Sequence, residues 1–294
     1  MSFKPAHAQP DAESVSRSAN ELGSIEHQAL KLSQANHRDL STSQEVTENI
    51  AIEAPVAMVF NGLSYAVMMA TPSDLEDFGY GFALSEGIVD DLQQIYDCET
   101  HRTPQGYSIE LRIASAAFHR LKEKRRNLTG RTGCGLCGVE SLAQAIPSLE
   151  PISSAQQTPL KSILNAARQL RQHQDLMTET GSCHAAAWCN NAGEIHIVRE
   201  DVGRHNALDK VIGALAREHH SNTQAEQGFI LMTSRASYEL VYKCARAQIP
   251  VLAAISGVTS LAIDVAQESG LALLGFTREH NSTIYTHPHR IILD

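Results

Sequence analysis

Along residues 1–44 the apolar positions keep no period, and Ser, Ala, Gln, Asn and His fill the gaps between them. Such a stretch buries too little surface to offset its ordering entropy, which predicts a disordered extension. From Glu45 the pattern changes. Val46 to Ile52 alternates weakly, and two apolar runs, Pro55 to Phe60 and Tyr65 to Ala70, flank Asn61-Gly62. That pairing predicts a hairpin, because both central residues of its tight turn need positive φ. Thr71-Pro72-Ser73-Asp74 offers hydroxyl caps, an early proline and an acidic first turn for a helix carrying Leu75, Phe78, Phe82 and Leu84 to about Gly87. A second hairpin, Ile95 to Thr100 and Tyr107 to Ile113 around Thr103-Pro104-Gln105-Gly106, precedes a basic helix from about Ser115 to Arg126. Residues 45–127 therefore read as a smaller α+β domain.

Beyond residue 128 the period shifts between 3.6 and 2. Val139, Leu142, Ala143 and Ile146 mark a short amphipathic helix stopped by Pro147, and a helix follows at Leu160 to Gln172. Strands are predicted at Ala185 to Cys189, Glu194 to Val198, Phe229 to Thr233, Val251 to Ile255, Leu271 to Phe276 and Thr283 to Tyr285. Helices are predicted at Asn206 to Arg217, Tyr238 to Ala247 and Leu261 to Ser269. This alternation makes 128–294 an α/β core with a largely parallel sheet and covered faces.

Composition narrows the classes of function. A chain of 294 residues with 43% hydrophobic content supports a real core, and its net charge of -9 argues against a general polyanion binder, so no nucleic-acid partner is expected. No apolar run approaches the roughly 20 residues that cross a bilayer, and no signal-peptide core opens the chain, which predicts a cytoplasmic protein without a membrane partner. Six cysteines spread this widely are no disulfide framework. Cys98, Cys183, Cys189 and Cys244 sit in apolar or strand-like surroundings and read as bland thiols.

Cys134 and Cys137 differ, because they lie in Arg131-Thr132-Gly133-Cys134-Gly135-Leu136-Cys137-Gly138. A thiol reacts as thiolate, and Arg131, the upstream basic run and a helix start near Gly138 would each favour the anion. Cys134, between two glycines, is the better nucleophile. Cys137 is suited to resolve a mixed disulfide, share the sulfur or shape the loop. A zinc site needs about four ligands where this motif supplies two, so no resident metal is expected, and a thioredoxin-like redox pair stays open.

Ligands of open α/β sheets sit outside the carboxyl ends of the strands. Here those ends carry Ser234-Arg235-Ala236-Ser237, Ser256-Gly257-Val258-Thr259 and Phe276-Thr277-Arg278-Glu279-His280-Asn281. Hydroxyls beside fresh helix amides with Arg235 and Arg278 suit a phosphorylated small molecule. Arg204, His205 and Asn206, within Glu200 to Lys210, read as a pocket wall, with His184 facing the same crevice.

Five ordered motifs, RTGCGLCGVESL (131–142), TGSCHAAA (180–187), EDVGRHNALDKVIG (200–213), TSRASYE (233–239) and GFTREHNSTIYTHP (275–288), resemble the formate dehydrogenase accessory sulfurtransferase family, FdhD, over roughly residues 46–293. The resemblance implies a sulfurtransferase that passes persulfide sulfur from a cysteine desulfurase to the bis(molybdopterin guanine dinucleotide) molybdenum cofactor before formate dehydrogenase receives it. It also implies a cytidine deaminase-like three-layer sandwich with the smaller domain appended, and a homodimer. By position, Cys134 matches the persulfide-forming cysteine, Cys137 its companion, and Phe276 to Asn281 the cofactor-contacting segment. Deaminase chemistry does not come with the fold, because His184 is followed by Ala-Ala and Cys134 is preceded by Gly133. A cofactor-binding chaperone without sulfur transfer and a thiol-disulfide oxidoreductase are the competing readings.

Overall fold

The computed structural model describes residues 23–33, 42–128, 149–221 and 227–293. Its first element was not foreseen. Strand β1 (Ser24–Ser33) pairs antiparallel with β2 (Thr42–Ala51), from Ser24 opposite Ala51 to Ser33 opposite Thr42. The disordered extension predicted to residue 44 is thus corrected over these residues. Backbone pairing orders them although their side chains bury little: Ile25, Leu30, Leu32 and Ile50 are all exposed.

The Asn61-Gly62 turn has φ of 46° and 79°, as its hairpin requires, and joins β3 (Ala54–Phe60) to β4 (Leu63–Ala70). The second hairpin forms β5 (Ile95–Thr103) and β6 (Gly106–Ile113). The four strands make one sheet in the order β4-β3-β6-β5, with β3 and β6 parallel. Val56, Met58, Phe60, Ile109, Leu111 and Ile113 bury one face against helix α1 (Leu75–Ser85) and helix α2 (Ser115–Leu128). The predicted hydroxyl cap of α1 is absent. Asp74 stands at the N-cap in a left-handed conformation without a side-chain cap, while the Thr71 hydroxyl accepts the Val202 amide.

The larger sheet has six strands, ordered β13 (Asn281–Ile284), β12 (Ala272–Arg278), β11 (Val251–Ala254), β10 (Gly228–Met232), β8 (His184–Asn190) and β9 (Ile195–Asp201), and corrects the largely parallel expectation. Only β10, β11 and β12 are mutually parallel. Strands β8, β9 and β13 join antiparallel. For β9 and β13 the reason is loop length: the connections from β8 to β9 and from β12 to β13 are hairpin turns, far too short for a crossover.

Alternation along these strands feeds two cores. Ala186, Trp188, Ile230, Met232, Leu252 and Leu273 pack with α5 (Arg204–Ser221), α6 (Tyr238–Arg246) and α7 (Ser260–Ser269). Ala187, Cys189, Phe229, Leu231, Val251 and Leu274 pack on the other face with α3 (Leu160–Gln169). Strands β7 (Thr158–Pro159) and β14 (Ile291–Ile292) form a small parallel pair beside α3. The short helix α4 (Asp175–Thr180), ended by Gly181 at φ 68°, was missed by the periodicity.

Helices α1 and α5 join the two sheets. A Cβ on Gly81 would overlap the Asp209 carbonyl, and one on Gly213 the Asp77 carbonyl. Around this crossing Asp77 takes Arg199 Nη2 at 2.7 Å, and Lys243 Nζ meets Asp209 at 2.8 Å, Ser85 at 3.0 Å and Glu86 at 2.9 Å. Among the described residues no helix is long and apolar enough to cross a membrane.

Candidate functional site

A cavity of about 610 Å³ opens at the carboxyl ends of β10 and β11, lined by Arg171, Gln174, Met177, Ser182, Cys183, His184, Val202, Thr233 and Ile255 among others; of the residues expected around the crevice, His184 alone is part of this lining. Thr233 and Ile255 continue β10 and β11, and His184 opens β8. The wall is tied by two hydrogen bonds between Thr233 and Ala185: the Thr233 hydroxyl accepts the Ala185 amide at 2.9 Å, and the Thr233 amide donates to the Ala185 carbonyl at 3.0 Å.

Glu200 organises one side. Its carboxylate accepts the Leu176 and Met177 amides at 2.8 and 2.9 Å and the Cys183 thiol at 3.2 Å, so it caps α4 and holds the cavity rim together. Burial pushes the Glu200 carboxyl above its ordinary range, while these hydrogen bonds pull the other way. Sequence reading placed Glu200 only within a polar cluster. The α4 helix that its carboxylate caps left a single signal, Gly181 after its last turn.

The cluster from Glu200 to Lys210 divides in two. Asp201, Asn206 and Lys210 are buried against the four-stranded sheet and the residue that follows it: Asn206 Nδ2 donates to the Met69 carbonyl at 2.8 Å and to Asp201 at 2.9 Å, and Lys210 Nζ to the Thr71 carbonyl at 3.0 Å. Asn206, expected on the pocket wall, is instead committed to this junction. Arg204 and His205 open α5, and neither is part of the cavity lining. His205 Nε2 lies 2.8 Å from Glu239 and 3.5 Å from the Ser237 hydroxyl, while Arg204 makes no hydrogen bond through its buried Nε. Burial, and after it the charge of Arg204, holds His184 below the usual histidine range.

At the other strand ends, Ser234 is buried with its hydroxyl donated to the Arg235 carbonyl at 3.1 Å, and Arg235 is exposed. Ser237 is the N-cap residue of α6 without a side-chain cap bond. The Ser256 carbonyl accepts the Phe276 amide at 2.9 Å. Phe276 has φ of 51° at a bulge in the β12–β13 ladder and is 47% exposed, its ring lying over Gly257. A bulky residue in the left-handed region carries local strain, the kind that collects at ligand clamps. Thr277 turns inward, fully buried, its hydroxyl 2.8 Å from that of Ser282. Its side chain therefore packs inside rather than into the crevice. Arg278, Glu279, His280 and Asn281 form the exposed tip of this hairpin, propped by Arg168 Nη1 on the Glu279 carbonyl at 2.9 Å.

The thiols separate as well. Cys134 and Cys137 lie outside the described residues. Of the other four, Cys183, Cys189 and Cys244 are buried and Cys98 is partly buried. Burial pushes Cys98 and Cys189 up to about 12, and Cys183 and Cys244 also strongly upward, Cys183 further so beside Glu200. None of the four is a ready thiolate at neutral pH.

With this geometry in place, comparison with known proteins gives one direction. The FdhD/NarQ family model matches residues 51–292. The sulfur carrier protein FdhD of Variovorax paradoxus (strain S110) is 51% identical over 242 residues, covering 82% of this chain and 86% of that protein. The sulfur carrier protein FdhD of Cupriavidus necator is 49% identical over 244 residues, covering 83% and 84%. A crystal structure from Desulfotalea psychrophila, provisionally described as a formate dehydrogenase accessory protein, superposes with a TM-score of 0.68 at 26% identity, covering 92% of this chain and 99% of that one.

Proposed function

The chain belongs to the FdhD/NarQ family, and from that premise we propose that it is a sulfur carrier for formate dehydrogenase maturation, with Cys134 as the carrying thiol. The Cys134 thiolate attacks the outer sulfur of a cysteine desulfurase persulfide. A new S–S bond forms at Cys134, the donor's S–S bond breaks, and the donor cysteine leaves as thiolate. The acceptor is the bis(molybdopterin guanine dinucleotide) molybdenum cofactor, received as cargo in the crevice and passed on to formate dehydrogenase. The protein acts as a homodimer in the cytoplasm.

The observation that carries this reading is the disqualification of the other thiols. Cys98, Cys183, Cys189 and Cys244 are buried to varying degrees and held protonated, which leaves the Gly-flanked pair for chemistry that needs an accessible thiolate. On the acceptor side, the exposed Phe276 ring offers a stacking face for a purine, and Arg235 and Arg278 stand at strand ends where diphosphates need local positive charge. A net acidic chain binds such a cargo locally rather than through a broad basic face.

The test is mass spectrometry after incubation with a cysteine desulfurase and cysteine. The Cys134 peptide gains sulfur, and Cys134→Ala abolishes both the gain and formate dehydrogenase maturation. Absence of added sulfur on Cys134 in the parent protein, with maturation intact, would refute the carrier role. Cys137→Ala that preserves maturation excludes an obligatory disulfide cycle.

A further inference from the structure

A second cavity, of about 490 Å³, lies where the end of α1, the middle of α5 and the end of α6 meet, and it shares no lining residue with the first. Its wall is largely apolar. Leu84, Val89 and Leu92 come from α1 and the residues after it, Ile212 and Leu215 from α5, and Leu149 from the chain that leads into the larger sheet. Leu84, Leu92 and Leu149 are only partly buried against the two cores, so among the described residues an apolar face stays uncovered here. Asp90, Asp91 and Glu150 add carboxylates to it, and Asp90 is held by Arg120 at 2.8 Å and Arg246 at 3.5 Å. The described chain resumes in this wall: residues 129–148 lie between Leu128, the end of α2, and Leu149.

We propose that this cavity seats the apolar stripe of residues 139–146, the segment that leads from Cys134 and Cys137 to Leu149. Val139, Leu142, Ala143 and Ile146 fall at i, i+3, i+4 and i+7, the spacing of one helix face, while Glu140, Ser141 and Gln144 fall off it. A helix this short, about 12 Å long, is marginal alone in water and needs an apolar surface to rest on. Only Pro147 and Ser148 separate the stripe from Leu149, so the encounter is intramolecular and the segment meets this face at a far higher effective concentration than a free partner does. The seat itself is independent of the sulfur-carrier reading; its consequence for function rests on that reading. Cys134 stands five residues before Val139, a span of at most about 18 Å, so a seated stripe fixes the radius within which a donor persulfide must reach the carrying thiol.

The experiment uses the full-length protein, hydrogen exchange read by mass spectrometry, and two variants that break the contact from opposite sides. Ala216→Trp fills the cavity from a half-buried position in its wall, and Leu142→Asp puts a charge on the stripe. In the parent, the amides of residues 139–146 are expected to exchange about tenfold or more slower than in an unstructured peptide, and either variant removes that protection while β10 and β11 keep theirs. Free-chain exchange of 139–146 in the parent overturns the seat, and so does protection that survives in a folded Ala216→Trp. Should that variant fold poorly, Leu142→Asp decides through the wall itself: it must also speed exchange at residues 245–248, and unchanged exchange there overturns the seat. A parent dimer, by sedimentation, that Ala216→Trp dissociates while 139–146 stays protected gives the face to a second copy instead. Sulfur loading of Cys134 is read in parallel. Protection of 139–146 with no sulfur gained on Cys134 leaves the seat standing and removes the carrier reading, and a loaded Cys134 with 139–146 unprotected does the reverse.

Discussion

Lys210 and Asp201 meet at 2.8 Å with neither side chain exposed to solvent. The pair is fully supported: Lys210 Nζ also donates to the Thr71 carbonyl at 3.0 Å, and Asp201 accepts the Thr71 amide at 3.0 Å and the Gly203 amide at 2.7 Å. Thr71 directly follows β4 and Asp201 ends β9, so the pair bolts one sheet to the other. Removing one partner strands a buried charge, which costs about 3–5 kcal/mol. Lys210→Met should therefore lower unfolding free energy by that amount in chemical denaturation, and the double variant with Asp201→Asn should recover part of it. A single variant as stable as the parent would remove the pair from the stability account.

Gly81 and Gly213 set the distance between α1 and α5. A methyl group at either position meets backbone rather than a side chain that can rotate away. Relief must come from moving a helix, and overpacking of this kind costs about 1–3 kcal/mol or more. Gly81→Ala, although better for helix propensity by roughly 1 kcal/mol, should thus lower the melting temperature. A rise would mean that the helices part easily.

The two hairpins, helices α1 to α3 and most strands of the larger sheet were legible because each has a clean local period or a turn residue with one conformational purpose, as Asn61-Gly62 has. Strand direction was not legible. Whether β8 runs with or against β10 depends on pairing across nearly 40 residues, which no local pattern encodes. A cavity at the ends of β10 and β11 accords with the α/β pattern, but of the residues expected around it only His184 lines it, and the roles inside Glu200 to Lys210 were not legible. At i, i+2 and i+5, Asp201, Gly203 and Asn206 look like an exposed helix start, and only the approach of Met69 and Thr71, at the end of β4, buries them.

Phe276 trades stability for position. Glycine there would accept φ of 51° without strain, yet the chain keeps an exposed ring. Phe276→Gly should leave the melting temperature equal or higher and weaken GDP binding by about 1–3 kcal/mol, the range for losing an aromatic stacking face. Phe276→Leu retains the strain and loses the stack. If both variants bind GDP as the parent does, the ring is no platform.

His184 and His205 should mark the acid limb of stability. Burial is the first cause of depression in both rings; Arg204 adds to it, and Glu239 opposes it at His205. An unfolded histidine titrates near pH 6.5. Between that value and the lower folded one, the unfolded chain binds more protons, so the contribution is complete above about pH 6.5 and is lost as pH falls through the folded pKa. Glu200 has the opposite sign: its raised carboxyl favours the folded state below the ordinary glutamate range near 4.3, and this contribution fades as pH climbs through the raised value. Denaturation of the parent and of His184→Asn at steps from pH 5 to pH 8 separates the two. The variant should lose less stability on acidification, by well under the roughly 1.4 kcal/mol per pH unit of one whole proton, since water still screens the ring. Identical slopes for variant and parent would place the ring in water and break its link to Arg204.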